Sequence, residues 1–206
     1  RVNNPPVVIL PDEIDTTPGK PMTLSAVVVD YDGLPVEYQW QPGDQVTTLT
    51  GSTPSYHYDQ LGDFTLTLTV TDNDEGVTTA TTTVRVRNTT RGRLYLDEVW
   101  SGQHHLLDDV LVPTGLNLTI EPGTELVIDG IPGETEYYHA LKIDGSLTAE
   151  SVNISSVTDQ PGGWQGILVK GSADLNHIEL RHAKRGIAAL IGSNVVIKNS
   201  TFQKNN

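Results

Sequence analysis

Thr65-Leu66-Thr67-Leu68-Thr69-Val70 places Leu66, Leu68 and Val70 on one face and three threonines on the other. Period-two alternation with β-branched side chains predicts a half-buried antiparallel strand. Thr81–Arg87 repeats the pattern, and Asp72-Asn73-Asp74-Glu75-Gly76 between them carries turn residues. Val7–Leu10, Met22–Val29, Val36–Trp40 and Ser55–Tyr58 read as further strands. Strands separated by turn residues every 8–12 positions or so predict a β-sandwich over residues 1–90.

The pattern changes after residue 90. Short apolar stretches recur between Gly and Asn, and Gly-Ser returns at Gly145-Ser146, Gly171-Ser172 and Gly192-Ser193. Apolar pairs recur as Leu118/Ile120, Leu141/Ile143, Ile167/Val169 and Ile187/Ala189, and asparagines as Asn153, Asn176 and Asn199. A repeat of roughly 20–26 residues with several short strands per unit predicts a solenoid. Helical patterns of 10–15 residues are missing, which selects a parallel β-helix over leucine-rich or α-helical repeats. Leu94–Val110, with Trp100, is expected to close its N-terminal end, and Asn88–Gly92 to form a short hinge before it. Gln203-Lys204-Asn205-Asn206 falls in mid-repeat, so the chain is expected to be a fragment of a longer protein.

The first half resembles a polycystic-kidney-disease (PKD) repeat. The residues that carry the resemblance are Asn3-Asn4-Pro5-Pro6-Val7, Asp30-Tyr31-Asp32-Gly33, Val36-Glu37-Tyr38-Gln39-Trp40 and Leu61-Gly62-Asp63-Phe64 through Asp72. The family's Trp-Asp-Phe-Gly-Asp-Gly reads Trp40-Gln41-Pro42-Gly43-Asp44-Gln45 here, which keeps the turn and loses its first acid. The second half is similar to secreted right-handed β-helix proteins in Val112–Thr124, Gly163-Trp164-Gln165-Gly166-Ile167 and Asn199-Ser200-Thr201-Phe202. The fold class implied is all-β: an Ig-like β-sandwich over residues 1–90, then part of a right-handed parallel β-helix over 91–206.

Charge narrows the function. The chain carries 13 Lys+Arg against 26 Asp+Glu, a net −13, which excludes nucleic-acid binding by charge and disfavours anionic membranes. No run of about 18 apolar residues offers a membrane span. The absence of cysteine excludes disulfides and thiolate chemistry.

Asp30 and Asp32 lie two apart at a turn opened by Gly33, the oxygen-rich pattern that Ca²⁺ favours. In calcium-binding PKD repeats an asparagine of the first strand joins such acids, so the resemblance implies a Ca²⁺ site at Asn4, Asp30 and Asp32. Asn3 competes with Asn4, and Asp72 and Asp74 are second candidates. The alternative is plain turn chemistry, in which Asp and Asn only cap bends. Trp40 and Tyr38 face one way and are expected in the core, while Tyr56, His57 and Tyr58 fall near a loop. On the β-helix, inward Ile178 and Leu180 would turn His177, Glu179 and Arg181 outward, beside His182, Lys184 and Arg185. His177, Glu179, Arg181 and Lys184 are therefore the candidate ligand-binding set. A solvated face balancing nearby acids is the alternative. Adjacent His104 and His105 point to opposite faces, which argues against joint ligation. Asn153 and Asn199 are expected as a turn or inward ladder.

No Ser-His-Asp pattern, phosphate loop or zinc signature is present. The expectation is a non-catalytic region of a secreted or cell-surface microbial protein, acting in adhesion, presentation or carbohydrate contact and rigidified by calcium. Its partner would be a polysaccharide or another surface protein. The alternatives are part of an extracellular polysaccharide lyase or hydrolase with its site on the β-helix, and a structural spacer of a surface layer.

Overall fold

A computed structural model describes residues 2–44, 48–129 and 139–205, together forming two compact units, Arg1–Arg87 and Asn88–Asn206. Gln45 lies outside the described residues. Every element is a strand, and among the described residues no helix is long and apolar enough to cross a membrane.

The first unit contains β1 (Val7–Ile9), β2 (Glu13–Thr16), β3 (Met22–Thr23), β4 (Val27–Val29), β5 (Pro35–Gln41), β6 (Leu49–Thr50), β7 (Ser55–Tyr56), β8 (Gly62–Asp72) and β9 (Val77–Val86). A five-stranded sheet runs β2-β9-β8-β5-β6, with β2 parallel to β9 and the other pairs antiparallel. Two antiparallel pairs, β1-β4 and β3-β7, complete the sandwich. The β8 alternation is realised: Leu66, Leu68 and Val70 are buried with Trp40, Tyr58, Val84 and Val86. Thr65, Thr67 and Thr69 face Thr83, Thr81 and Thr79 across the β8-β9 pair. The strand expected over Met22–Val29 is broken. Its two ends pair with different partners, β7 and β1, so the chain crosses between them at Leu24, which is buried and donates its N–H to Pro54 O.

The second unit contains β10 (Gly92–Arg93), β11 (Glu98–Trp100), β12 (Gln103–Leu106), β13 (Val110–Val112), β14 (Asn117–Ile120), β15 (Glu125–Ile128), β16 (Ala140–Ile143) and β17 (Ser146–Glu150). It continues with β18 (Asn153–Ser156), β19 (Gly166–Val169), β20 (Ser172–Asn176), β21 (Glu179–Arg181), β22 (Ile187–Ala189), β23 (Asn194–Lys198) and β24 (Thr201–Gln203). Each of its three parallel sheets takes every third strand: β10-β13-β16-β19-β22, β11-β14-β17-β20-β23 and β12-β15-β18-β21-β24. This is a β-helix-like stack. Inward side chains align in files, such as Leu118–Leu147–Ala173–Val195 and Leu126–Ile154–Leu180. Burying such files removes apolar surface from water at about 25 cal/mol per Å², which no single rung could do alone.

The observed register differs from the expected repeat in two places. Leu118/Ile120 lies in the second sheet, and the pair that precedes Leu141/Ile143 is Val110/Val112. Ser146 does face Ser172, but Ser172 faces Asn194 and not Ser193. Rungs differ in perimeter, so a fixed sequence spacing drifts off the strands.

Asn88–Gly92, expected as a hinge, falls within the second unit. Thr89 is fully buried, donating its N–H and hydroxyl to the Glu98 carboxylate at 2.9 and 2.6 Å. Trp100 Nε1 donates to the same carboxylate at 2.7 Å, and the His104 ring stacks on Trp100 at 4.1 Å. These residues are the first rung itself rather than a separate plug. His104 is buried and His105 exposed, on opposite faces.

Candidate functional site

Two turns of the sandwich bring amide and carboxylate oxygens together. In the bend after β4, Asp30 Oδ1 accepts the backbone N–H groups of Asp32 (3.1 Å) and Gly33 (2.9 Å). Asn4 secures Asp32, donating from Nδ2 at 2.9 Å and from its backbone N–H at 3.2 Å to Oδ2. Asn4, Asp30 and Asp32 are thus linked by hydrogen bonds. Asn3 serves the β8-β9 turn, where its Nδ2 donates to the Asp72 carboxylate (3.0 Å) and to Asp74 O (3.2 Å).

After these bonds, Asn3 Oδ1, Asp30 Oδ2 and Asp32 Oδ1 are buried with no hydrogen-bond partner among the described residues. Buried oxygens are seldom left so, because each forfeits its hydration. Asn73, part of a turn in the sequence reading, joins them. Its Oδ1 accepts the Leu34 N–H at 2.7 Å and, with Asp30 Oδ2, crowds the space that a Cβ on Gly33 would fill, at 2.7 and 2.8 Å. The pattern Asp72-Asn73-Asp74 held the signal, but only the fold shows which of its three residues reaches the Gly33 turn. Burial works against ionisation of Asp72. Hydrogen bonds from Asn3 and from the backbone of Gly76 and Asp74 outweigh it and hold the carboxyl below the usual range.

On the stack, Ile178 and Leu180 are buried, and His177, Glu179 and Arg181 lie at the surface. His177 Nδ1 is 4.0 Å from Glu150, and Arg181 pairs with Glu179. Lys184 is half-buried and donates its backbone N–H to Trp164 O at 2.7 Å. His182 departs from the expected outward patch. It is 3% exposed, two positions past inward Leu180, with Nε2 3.0 Å from Asp159. A shallow depression of about 310 Å³ lies over the third sheet, lined by Glu125, Asn153, Ser155, Glu179 and Arg181. Asn153 and Asn199 do not form the expected ladder. Asn199 donates to Asn176 at 3.0 Å, Asn176 donates to Glu150 at 3.1 Å, and Asn153 sits in a different sheet.

A third cluster escapes the sequence reading: Asp108, Asp109 and His139, whose ligating atoms lie within 4.8 Å of one another. Lys142 pairs with Asp109, which also accepts the Ala140 N–H at 2.8 Å, so this carboxylate is already balanced.

Residues 3–87 match the family model of the PKD domain. Among solved structures, the PKD1 domain of Vibrio anguillarum Epp is 30% identical, covering 43% of this chain and 100% of that one, with a TM-score of 0.38. The PKD1 domain of the Vibrio cholerae metalloprotease PrtV is 27% identical, covering 41% and 93%, with a TM-score of 0.32. A structure of carbohydrate-binding modules from the β-sandwich superfamily is 27% identical over 44% of this chain, with a TM-score of 0.39, and the match spans 37% of that chain. No curated protein matches.

Proposed function

From the premise that residues 3–87 are a PKD domain, we propose that the chain is a non-catalytic region of a secreted or cell-surface protein. In this reading a calcium-stiffened PKD module precedes rungs of a right-handed parallel β-helix. The outer faces of those rungs contact a polysaccharide or another surface protein.

The observation that carries the contact role is the outer face of the second sheet. Asn117, Ser146, Ser172 and Asn194 form one file, and Thr119, Thr148 and Asp174 the next. Strands stack at about 4.8 Å, so hydroxyls and amides recur on a flat grid at that interval. Such a grid offers donors and acceptors to a polyhydroxylated chain. Lyase or hydrolase chemistry would need a base free to take a proton. Arg181 is paired with Glu179, and His177, near Glu150, is the residue that a turnover assay would test as a base. A glycan array with the intact chain is expected to show binding to at least one polysaccharide. Unsaturated-product absorbance is expected to show no turnover, and turnover would overturn the non-catalytic reading.

The turn cluster fits Ca²⁺, a hard cation that takes six to eight oxygens. Asn3, Asp30 and Asp32 offer uncommitted buried oxygens, with Asn4 holding Asp32 in place. A bound ion would neutralise the two acids and tie the N-terminal segment to the turns after β4 and β8. Calcium at about 100 times its dissociation constant should stabilise the sandwich by about 2.7 kcal/mol. Calorimetry and thermal unfolding check this. The double variant Asp30→Asn/Asp32→Asn should show no binding heat and no calcium-dependent rise in Tm.

A further inference from the structure

A second site lies at the β7 end of the sandwich, beside the core that Tyr56 and Phe64 pack against. We infer that the cavity formed by Asp44, Tyr56, His57 and Phe64 binds a neutral pyranose unit of a glycan. The cavity is about 560 Å³, enough for more than one sugar ring, and Asp59 and Gln60 form its rim. The inference rests on the carbohydrate-contact reading and assigns it a place in the sandwich.

Its walls are built rather than incidental. Tyr58 is buried and donates its hydroxyl to Pro42 O at 3.0 Å. Phe64 stacks on Tyr58 at 5.0 Å, and Tyr56 meets it edge-on at 5.1 Å. His57 lies nearly parallel to Tyr56, 22° between planes, and its ring is held 3.4 Å from Asp59. His57 remains more than half exposed, so its free face is open to a ligand. Gly43, at φ +88°, packs so closely that a Cβ there would sit 2.4 Å from Thr65 O. That tight bend carries Asp44 into the cavity. Tyr56 donates its hydroxyl to Asp44 Oδ2 at 2.8 Å, and Asp44 Oδ1 is buried with no hydrogen-bond partner among the described residues. Burial, then the Asp44 carboxylate, push the Tyr56 phenol well above its usual value, so Tyr56 stays a donor.

The chemistry follows from these groups. A pyranose has an apolar face of C–H groups and a rim of hydroxyls. The aromatic faces of His57 and Phe64 suit the first, as flat apolar surface that costs little side-chain entropy. Asp44 Oδ1 would accept one hydroxyl, and Asp59 and Gln60 are placed for a neighbour. The acids also set the sign. Residues 1–90 carry four Lys+Arg against twelve Asp+Glu, and with two carboxylates at the cavity a uronate would be repelled, so the sugar is neutral.

The test titrates the full chain with cellohexaose, xylohexaose and β-1,4-mannohexaose, with hexagalacturonate and hexalysine as charged controls. Binding of a neutral hexasaccharide is expected. His57→Ala and Asp44→Ala should each weaken it about tenfold, the loss of roughly one stacked face or one buried hydrogen bond. His57→Ala changes an exposed side chain and keeps the fold. Arg181→Ala reports instead on glycan contact at the rungs of the stack. Glycan binding that only Arg181→Ala weakens overturns this site and leaves the broader carbohydrate reading standing. Binding of none of the neutral probes, with the array also blank, removes both. Hexalysine binding that depends on Asp44, without any sugar binding, reassigns the cavity to a cationic peptide and overturns the inference.

Discussion

Glu98→Ala is expected to destabilise the parallel stack by about 3 kcal/mol, the upper end for leaving buried polar groups unsatisfied. Glu98 is 4% exposed and accepts three hydrogen bonds, from the Thr89 N–H, the Thr89 hydroxyl and Trp100 Nε1. Alanine leaves all three donors buried and unpaired at the base of the first rung. Glu98→Gln keeps the shape and one acceptor, so it should cost distinctly less. Denaturant midpoints compared with amide exchange in β11 and β14 check this. A loss under about 1 kcal/mol for alanine would mean that water replaces the carboxylate.

The same cluster gives the stack an acid limit. Burial, the dominant cause, lowers the His104 pKa below its usual 6.5; the hydrogen bond to Thr89 O works in the opposite direction, and His105 adds to the lowering. In the unfolded chain His104 takes up a proton near pH 6.5, while the folded ring resists until a lower pH. Its contribution is therefore intact above about pH 6.5. It is lost as pH falls below that value, by up to about 1.4 kcal/mol per unit. His104→Gln should flatten that slope in a series of unfolding midpoints between pH 7 and 5.

Gly171→Ala is the second substitution expected to act strongly, at about 3 kcal/mol, the upper end for overpacking. A Cβ on Gly171 would lie 2.0 Å from Gly145 O and 2.5 Å from Asp144 O. Gly145 is equally confined, with Leu116 O and Pro113 O at 2.2 and 2.3 Å from its would-be Cβ. These are rigid backbone atoms of the preceding rung, so the rungs themselves must part. Gly123 is the control. Its φ is +84° and nothing lies within 4 Å, so alanine there adds only backbone strain, of about 1–2 kcal/mol. Equal losses for the two variants, measured by chemical unfolding, would show that the stacked glycines are not in contact.

The sequence exposes whatever depends on alternation. Leu66, Leu68, Val70, Ile178 and Leu180 all face inward because a strand fixes side-chain direction at every second residue. Continuing that count from Leu180 also turns His182 inward, a signal that its basic neighbours mask. Pairings over long distances are not legible. β2 has one apolar residue, Ile14, and pairs with Val84 far along the chain. The β3/β4 break depends on a change of partner that local composition does not record. The turn cluster is legible in Asp30 and Asp32. Asn73 and the separate duties of Asn3 and Asn4 emerge only where two distant bends meet. The Tyr56 cavity is hidden for the same reason, since Asp44 reaches it through a bend set by Gly43.

The ladder order of the stack bears on how the chain is made. Every strand from β13 onward pairs with one that precedes it in the chain. A chain emerging N-terminus first, from a ribosome or across a membrane, can therefore add each new rung to a finished template, without waiting for distant sequence to appear. Growth can run in the direction of synthesis, starting from the rung closed by Glu98 and Trp100, and a lesion there would be inherited by each layer laid down after it.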